Sequence, residues 1–154
     1  MDTTNSATDT TGHGMTSAYP DAELRAWAAG DNGREAATEL LIRTGLAKAE
    51  EPWILHDTGW DVYAVDYDLA LHGRTGLTGD EMAILTLAAS LAEGTHVSIR
   101  YVTKSLDYEH AQLALTAIAH AAGYHQPTRT IDSTGPMPRI VQRPPLITWD
   151  LEPD

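Results

Sequence analysis

The sequence predicts a mainly α fold of the α+β class: about five or six helices around one core, with one small β-hairpin near residues 53–65. Three observations lead there. Apolar residues recur at helical spacing through most of residues 20–122. Glycine closes one such stretch after another, at Gly30, Gly45, Gly94 and Gly123. WILH (53–56) and WDVYAV (60–65) are short runs rich in aromatic and β-branched residues with a turn signal between them. A chain of 154 residues, 42% hydrophobic, suits one domain with one sizeable core.

In chain order, residues 1–18 (MDTTNSATDTTGHGMTSA) hold almost nothing to bury and are expected to be a disordered tail. Pro20 and Asp21 open a first helix that runs to about Ala29, with Leu24, Trp27 and Ala28 as its apolar stripe. Asn32 is expected to cap a second helix, with Glu35 completing a capping-box-like pair. Glu39 and Arg43 stand four apart on that helix and predict a weak surface pair. Pro52 then breaks the helical pattern. Asp57-Thr58-Gly59 separates the two strand-like runs, with Gly59 free to take a positive φ.

Asp66 to Leu71 predicts a short helical turn, and HGRTG (72–76) a loop. Thr78 caps a strongly apolar helix with Asp80 and Glu81 in its first turn, where the helix dipole favours acids. Residues 96–106 fit strand alternation and helical spacing almost equally, with a lean to helix. Asp107 caps a last helix over 108–122. Its polar residues Glu109, Gln112, Thr116 and His120 form one stripe, expected to face solvent. Helices 80–93 and 108–122 are thus expected at the centre. Residues 125–154 carry six of the eight prolines and predict an extended C-terminal arm.

Composition limits function. With no cysteine there is no disulfide scaffold, thiolate zinc site or thiol nucleophile, which fits a reducing cytoplasm. The N-terminus lacks the basic and apolar regions of a secretory signal. The longest mostly apolar run, residues 82–92, is too short to span a bilayer. The formal net charge of −12 argues against nucleic acid and acidic membranes. It is unevenly spread: residues 50–93 hold nine acids and one base, while 125–149 hold three arginines and one aspartate. An acidic face for a basic protein partner is one reading of that segregation.

Asp57-Thr58-Gly59 is also the tripeptide that carries the catalytic aspartate of aspartic proteases. His56 before it and Trp60 after it depart from that pattern, and no later hydrophobic-hydrophobic-Gly element follows. A hairpin turn accounts for it better. Asp57, Asp61, Asp66 and Asp68, with His56 and His72, offer hard ligands for a cation but fit no loop spacing. His110, His120 and His125 show neither HExxH nor i, i+4 pairing. No metal or cofactor is therefore expected. GxSxG, GxGxxG and the P-loop are absent.

Two phrases, AELRAWAAGDNGREAATELLIRTG and LTLAASLAEG…AIAHAAG, loosely resemble small uncharacterised alanine-rich proteins of high-GC actinobacteria, over roughly residues 20–123. The resemblance implies no activity or residue role. The functional expectation is a non-enzymatic, acidic, cytoplasmic protein-binding or regulatory module that self-associates or takes an unknown protein partner, a basic one where the acidic face is used. Its candidate surface residues are Asp57, Asp61, Asp66, Asp68, Arg139, Arg143 and Trp149. Two alternatives stand beside it. One is a small enzyme with an Asp/His site at the 56–68 hairpin. The other is a helix-turn-helix-like nucleic-acid regulator using residues 31–44.

Overall fold

The computed structural model describes residues 19–73 and 76–150. The expected tail at 1–18, residues 151–154 and part of the HGRTG loop lie outside the described residues. Among the described residues, six helices and four strands follow one another: α1 (Asp21–Ala28), α2 (Asn32–Arg43), β1 (Ile54–Asp57), β2 (Val62–Val65), α3 (Tyr67–His72), α4 (Gly79–Glu93), α5 (Ile99–Ser105), α6 (Tyr108–Ala121), β3 (Thr128–Asp132) and β4 (Arg139–Arg143). The ambiguous 96–106 stretch is helical. Ser98 caps it by accepting from the Tyr101 amide.

The expected hairpin forms from β1 and β2, paired antiparallel from Ile54–Val65 to Asp57–Val62. Its turn differs in detail. The Asp57 carboxylate accepts from the amides of Gly59 and Trp60, at 2.8 and 3.2 Å, and closes the loop through its side chain. The positive φ falls on Asp61, at 51°, and not on Gly59. Aspartate tolerates that conformation better than most residues.

A second hairpin, β3–β4, stands where an extended arm was expected, so the described residues hold two small sheets, not one. The prolines punctuate this hairpin without interrupting it. Pro127 precedes β3, Pro136 and Pro138 lie in the turn, and Pro144 and Pro145 follow β4. The paired segments TRTID and RIVQR contain none, so no ladder donor is lost. Ile131 faces Ile140 across the ladder and Thr130 faces Val141.

Two further expectations shift. Asp31, not Asn32, caps α2, accepting from the Arg34 amide at 2.9 Å. Glu35 accepts from the Gly30 amide at 2.7 Å, so the cap sits one residue earlier than expected and Glu35 serves the residue before it. The central helix is α2, which packs against α1, α4 and α6. Its Ala36, Ala37, Leu40 and Leu41 are fully buried. Full burial of each leucine is worth roughly 1.5–3 kcal/mol. Helix α4 is buried as expected, through Ala83, Ile84, Leu85, Leu87, Ala88 and Ala89. Trp53, fully buried, joins the first hairpin to this core, and its indole N–H donates to Leu46 O at 2.8 Å. Among the described residues no helix is long and apolar enough to cross a membrane.

Candidate functional site

The four candidate aspartates of the 56–68 region each serve their own stretch of chain. Asp57 closes the turn described above. Asp61, exposed, pairs with His56 Nε2 at 2.9 Å, and the His56 ring stacks on Tyr63 at 4.1 Å. Asp66 caps α3 through the Leu69 amide at 2.8 Å, and Asp68 faces His72 Nδ1 at 3.2 Å. A turn, a cap and two histidine contacts occupy these side chains one by one. Trp60 at the hairpin tip is 84% exposed.

The arm residues are placed differently. Arg139 pairs with Asp132 at 3.1 Å inside its own hairpin, and Arg143 lies opposite Thr128. Beyond β4 the chain returns to the helices in cis. The Leu146 amide donates to Tyr124 O at 2.9 Å. Trp149 docks between α2 and α6: its indole N–H donates to His120 Nδ1 at 2.9 Å, its carbonyl accepts from Arg43 at 2.8 Å, and the Arg43 guanidinium stacks over its ring at 5.3 Å. His120 Nε2 in turn lies 3.2 Å from Glu35 Oε2. The His125 ring leans on His120 at 3.7 Å between centroids.

The chemistry of this junction follows from its donors. An indole nitrogen only donates, so His120 Nδ1 accepts and the ring proton sits on Nε2, aimed at Glu35. Burial pushes the His120 imidazole below its ordinary value, and the neighbouring His125 adds to that; Glu35 acts in the opposite sense. The Gly30 amide, helped by His120, holds the Glu35 carboxyl below its usual range. Burial would push Glu39 up, but hydrogen bonds from Arg25 and Arg43 outweigh it and hold Glu39 low. Those bonds are 2.7 and 3.1 Å from Arg25 and 2.7 Å from Arg43. The weak surface pair expected at Glu39 is therefore a three-residue network around a side chain only 12% exposed.

A cavity of about 220 Å³ lies beside the junction, lined by Arg25, Ala28, Glu35, Glu39, His120 and Trp149. Both nitrogens of His120 are engaged and Glu39 is shared between two arginines, so none of them is free to serve as a general base. The junction works as a fastening for the arm.

One group among the described residues has the composition of a cation site: Asp80, Asp107 and His110, whose donor atoms lie within 4.8 Å of one another. His110 Nδ1 is 3.0 Å from Asp107 and 3.4 Å from Asp80. Each carboxylate also has a helix-start role, Asp80 accepting from the Thr78 hydroxyl at 2.5 Å and Asp107 from the His110 amide at 2.8 Å. Both are held below their usual range, Asp80 by that hydroxyl first and Asp107 by that amide first, with His110 contributing to each. Sequence reasoning compared histidines with histidines. The partners of His110 are carboxylates, one of them three residues before it.

Helix α6 holds the largest departure from expectation. Thr116 is fully buried and His120 nearly so, while Leu115 is 61% and Ile118 43% exposed. The polar stripe thus faces inward from its middle to its end, and two large apolar side chains face outward. The inward polar groups are satisfied: Thr116 Oγ1 donates to Gln112 O at 2.9 Å, and His120 has its two partners. A buried polar group with its hydrogen bonds made carries little penalty. Leu115 and Ile118 border two grooves. One, of about 200 Å³, lies against α5 and includes Ile99, Val102 and Leu106. The other, of about 340 Å³, includes Ala122, Tyr124, Leu146 and Ile147. No charged side chain lines either groove.

Helix α2, the reading helix of the nucleic-acid alternative, packs against three other helices, α1, α4 and α6. Its two arginines are taken up by tryptophans, Arg34 over Trp27 at 5.2 Å and Arg43 over Trp149. No family model, curated protein or solved structure matches this chain. The resemblance to actinobacterial proteins rests on its residues alone.

Proposed function

We propose that this chain is a non-enzymatic protein-binding module of the cytoplasm, working through the apolar surface of α6 with its flanks on α5 and residues 146–147. One observation carries the reading: Leu115 and Ile118 stand exposed at the centre of a charge-free surface, while polar Thr116 and His120 of the same helix are buried. Isolated exposed apolar residues are ordinary, but a contiguous patch on a chain with this much charge marks an interaction surface. Aromatic and aliphatic side chains such as Tyr124 and Leu146 suit the centre of an interface, where charges are depleted. The α5 groove is the kind of concavity that an interface anchor fills.

The test compares capture by the wild type with capture by Leu115→Glu and Leu146→Glu. Both changes fall on exposed side chains. The reading expects a stoichiometric protein, identified by mass, that the wild type retains and both variants lose. Identical capture by all three would remove this surface from the account. Turnover of a small molecule, abolished by Asp57→Ala, would move the assignment to the enzyme alternative.

A further inference from the structure

Resting on that protein-binding reading, we propose that the occupant of the α6 surface is a second copy of this chain, docked antiparallel about a two-fold axis. The seam of α6 and its C-terminal end is half-buried Ala111 and exposed Leu115, Ile118 and Ala122, spaced four, three and four residues apart. That spacing reads the same in both directions. A two-fold axis midway between positions 115 and 118 sets Leu115 against Ile118 of the second copy and Ala111 against Ala122. Both members of each pair match in size, two large at the centre and two small at the ends. An isologous contact requires this self-complementarity: if i meets j, then j meets i.

The relief of the surface agrees. Leu115 and Ile118 form a ridge with a groove on either side. Ridges that enter neighbouring grooves are the normal way two helices pack, and alanines at the ends allow close approach. Electrostatics restricts where two copies can meet. Two copies each carrying a formal −12 repel over most of their surfaces. Along the seam no carboxylate meets a carboxylate, since neither groove is lined by a charged residue. A basic partner, for the same reason, finds no counter-charge there.

The chain contains no cysteine, so introduced thiols report without background. Leu115→Cys and Ile118→Cys proteins are prepared separately, checked for unchanged helicity, and oxidised mildly, alone and mixed. A disulfide needs Cβ atoms about 3.5–4.5 Å apart. The antiparallel pair predicts that the mixture forms the 115–118 cross-link roughly tenfold faster than either protein links to itself, as expected for thiols held at high effective concentration. Ala111→Cys mixed with Ala122→Cys should repeat the preference at the seam's end. Thr58→Cys, in the distant hairpin turn, is the control. Faster 115–115 and 118–118 links would overturn the antiparallel docking. Linking no faster than the control at both pairs would overturn self-docking altogether. The broader reading would survive that last result if capture of a different protein still depended on Leu115.

Discussion

Trp149 and His120 are joined by a single 2.9 Å hydrogen bond from indole Nε1–H to imidazole Nδ1, and through it the C-terminal arm is fastened to α6. The bond exists only while His120 is neutral, because a protonated imidazole presents N–H where the indole also presents N–H. Two consequences are measurable.

The first is tautomeric. Imidazole 15N shifts of His120 should report a neutral ring with its proton on Nε2 near neutral pH. The second is a pH dependence. The folded value of His120 lies below its ordinary 6.5. Its contribution to stability is therefore complete above 6.5 and is lost as pH falls from there through the lowered folded value. Below the carboxylate range the contributions of Glu35 and Glu39, both also held low, are lost in turn. The Trp149 indole resonance should shift with the first of these transitions. A His120→Ala protein should lack that step while keeping the carboxylate one.

Removing the charge of Glu39 tests the network beneath the arm. Glu39→Gln leaves Arg25 and Arg43 with a neutral acceptor. A hydrogen bond to a charged group is worth about 1.5–3 kcal/mol, but both guanidinium groups are substantially exposed. A loss of about 1–2 kcal/mol in denaturant unfolding is expected, shrinking as pH falls through the lowered carboxyl value of Glu39. No change at neutral pH would mean that solvent screens the network fully.

Gly33 lies in the first turn of α2, where an alanine would ordinarily gain up to about 1 kcal/mol of helix propensity. Here a Cβ at that position would overlap the carbonyl oxygen of Leu91, which is backbone and cannot swing aside. Gly33→Ala is therefore expected to destabilise, by about 1–3 kcal/mol, through forced separation of α2 and α4. Thermal unfolding at fixed pH measures the sign, and a raised midpoint would contradict the close approach.

The orientation of α6 makes an unusual pair of expectations. Leu115→Glu should fold with stability within about 0.5 kcal/mol of the wild type, since the position is exposed. Thr116→Glu, a change between two polar residues, should cost several kcal/mol or prevent folding, because it puts an unpaired carboxylate where nothing is exposed. Circular dichroism of the two proteins decides it, and the reverse ranking would contradict the placement of this helix.

Much of the fold was legible because it is written in local chemistry. The caps at Thr78 and Asp107, the break at Pro52 and the glycine stops all act within a few residues, and the helices stand where those signals put them. The second hairpin was obscured by counting prolines over the whole arm instead of noting that TRTID and RIVQR contain none. The face of α6 could not be read from its own periodicity. Thr116 is satisfied within the helix by Gln112 O, but buried His120 takes its partners from Glu35, 85 residues away, and from Trp149 on the arm. The partners of His120 are tertiary, and no window of the helix contains them. Of the seven candidate surface residues, Trp149 is part of the fastening, whereas Leu115 and Ile118 lie outside the polar stripe that was expected to face solvent.

The most direct measurement of the central claim is sedimentation equilibrium of the wild type and Leu115→Glu across the same range of concentrations. An apolar α6 surface that binds a second copy predicts a wild-type mass rising from 16.7 kDa toward twice that value, with the variant holding at 16.7 kDa throughout. A wild type that stays at the monomer mass over the whole range would contradict self-association through α6. So would a variant that dimerises equally well.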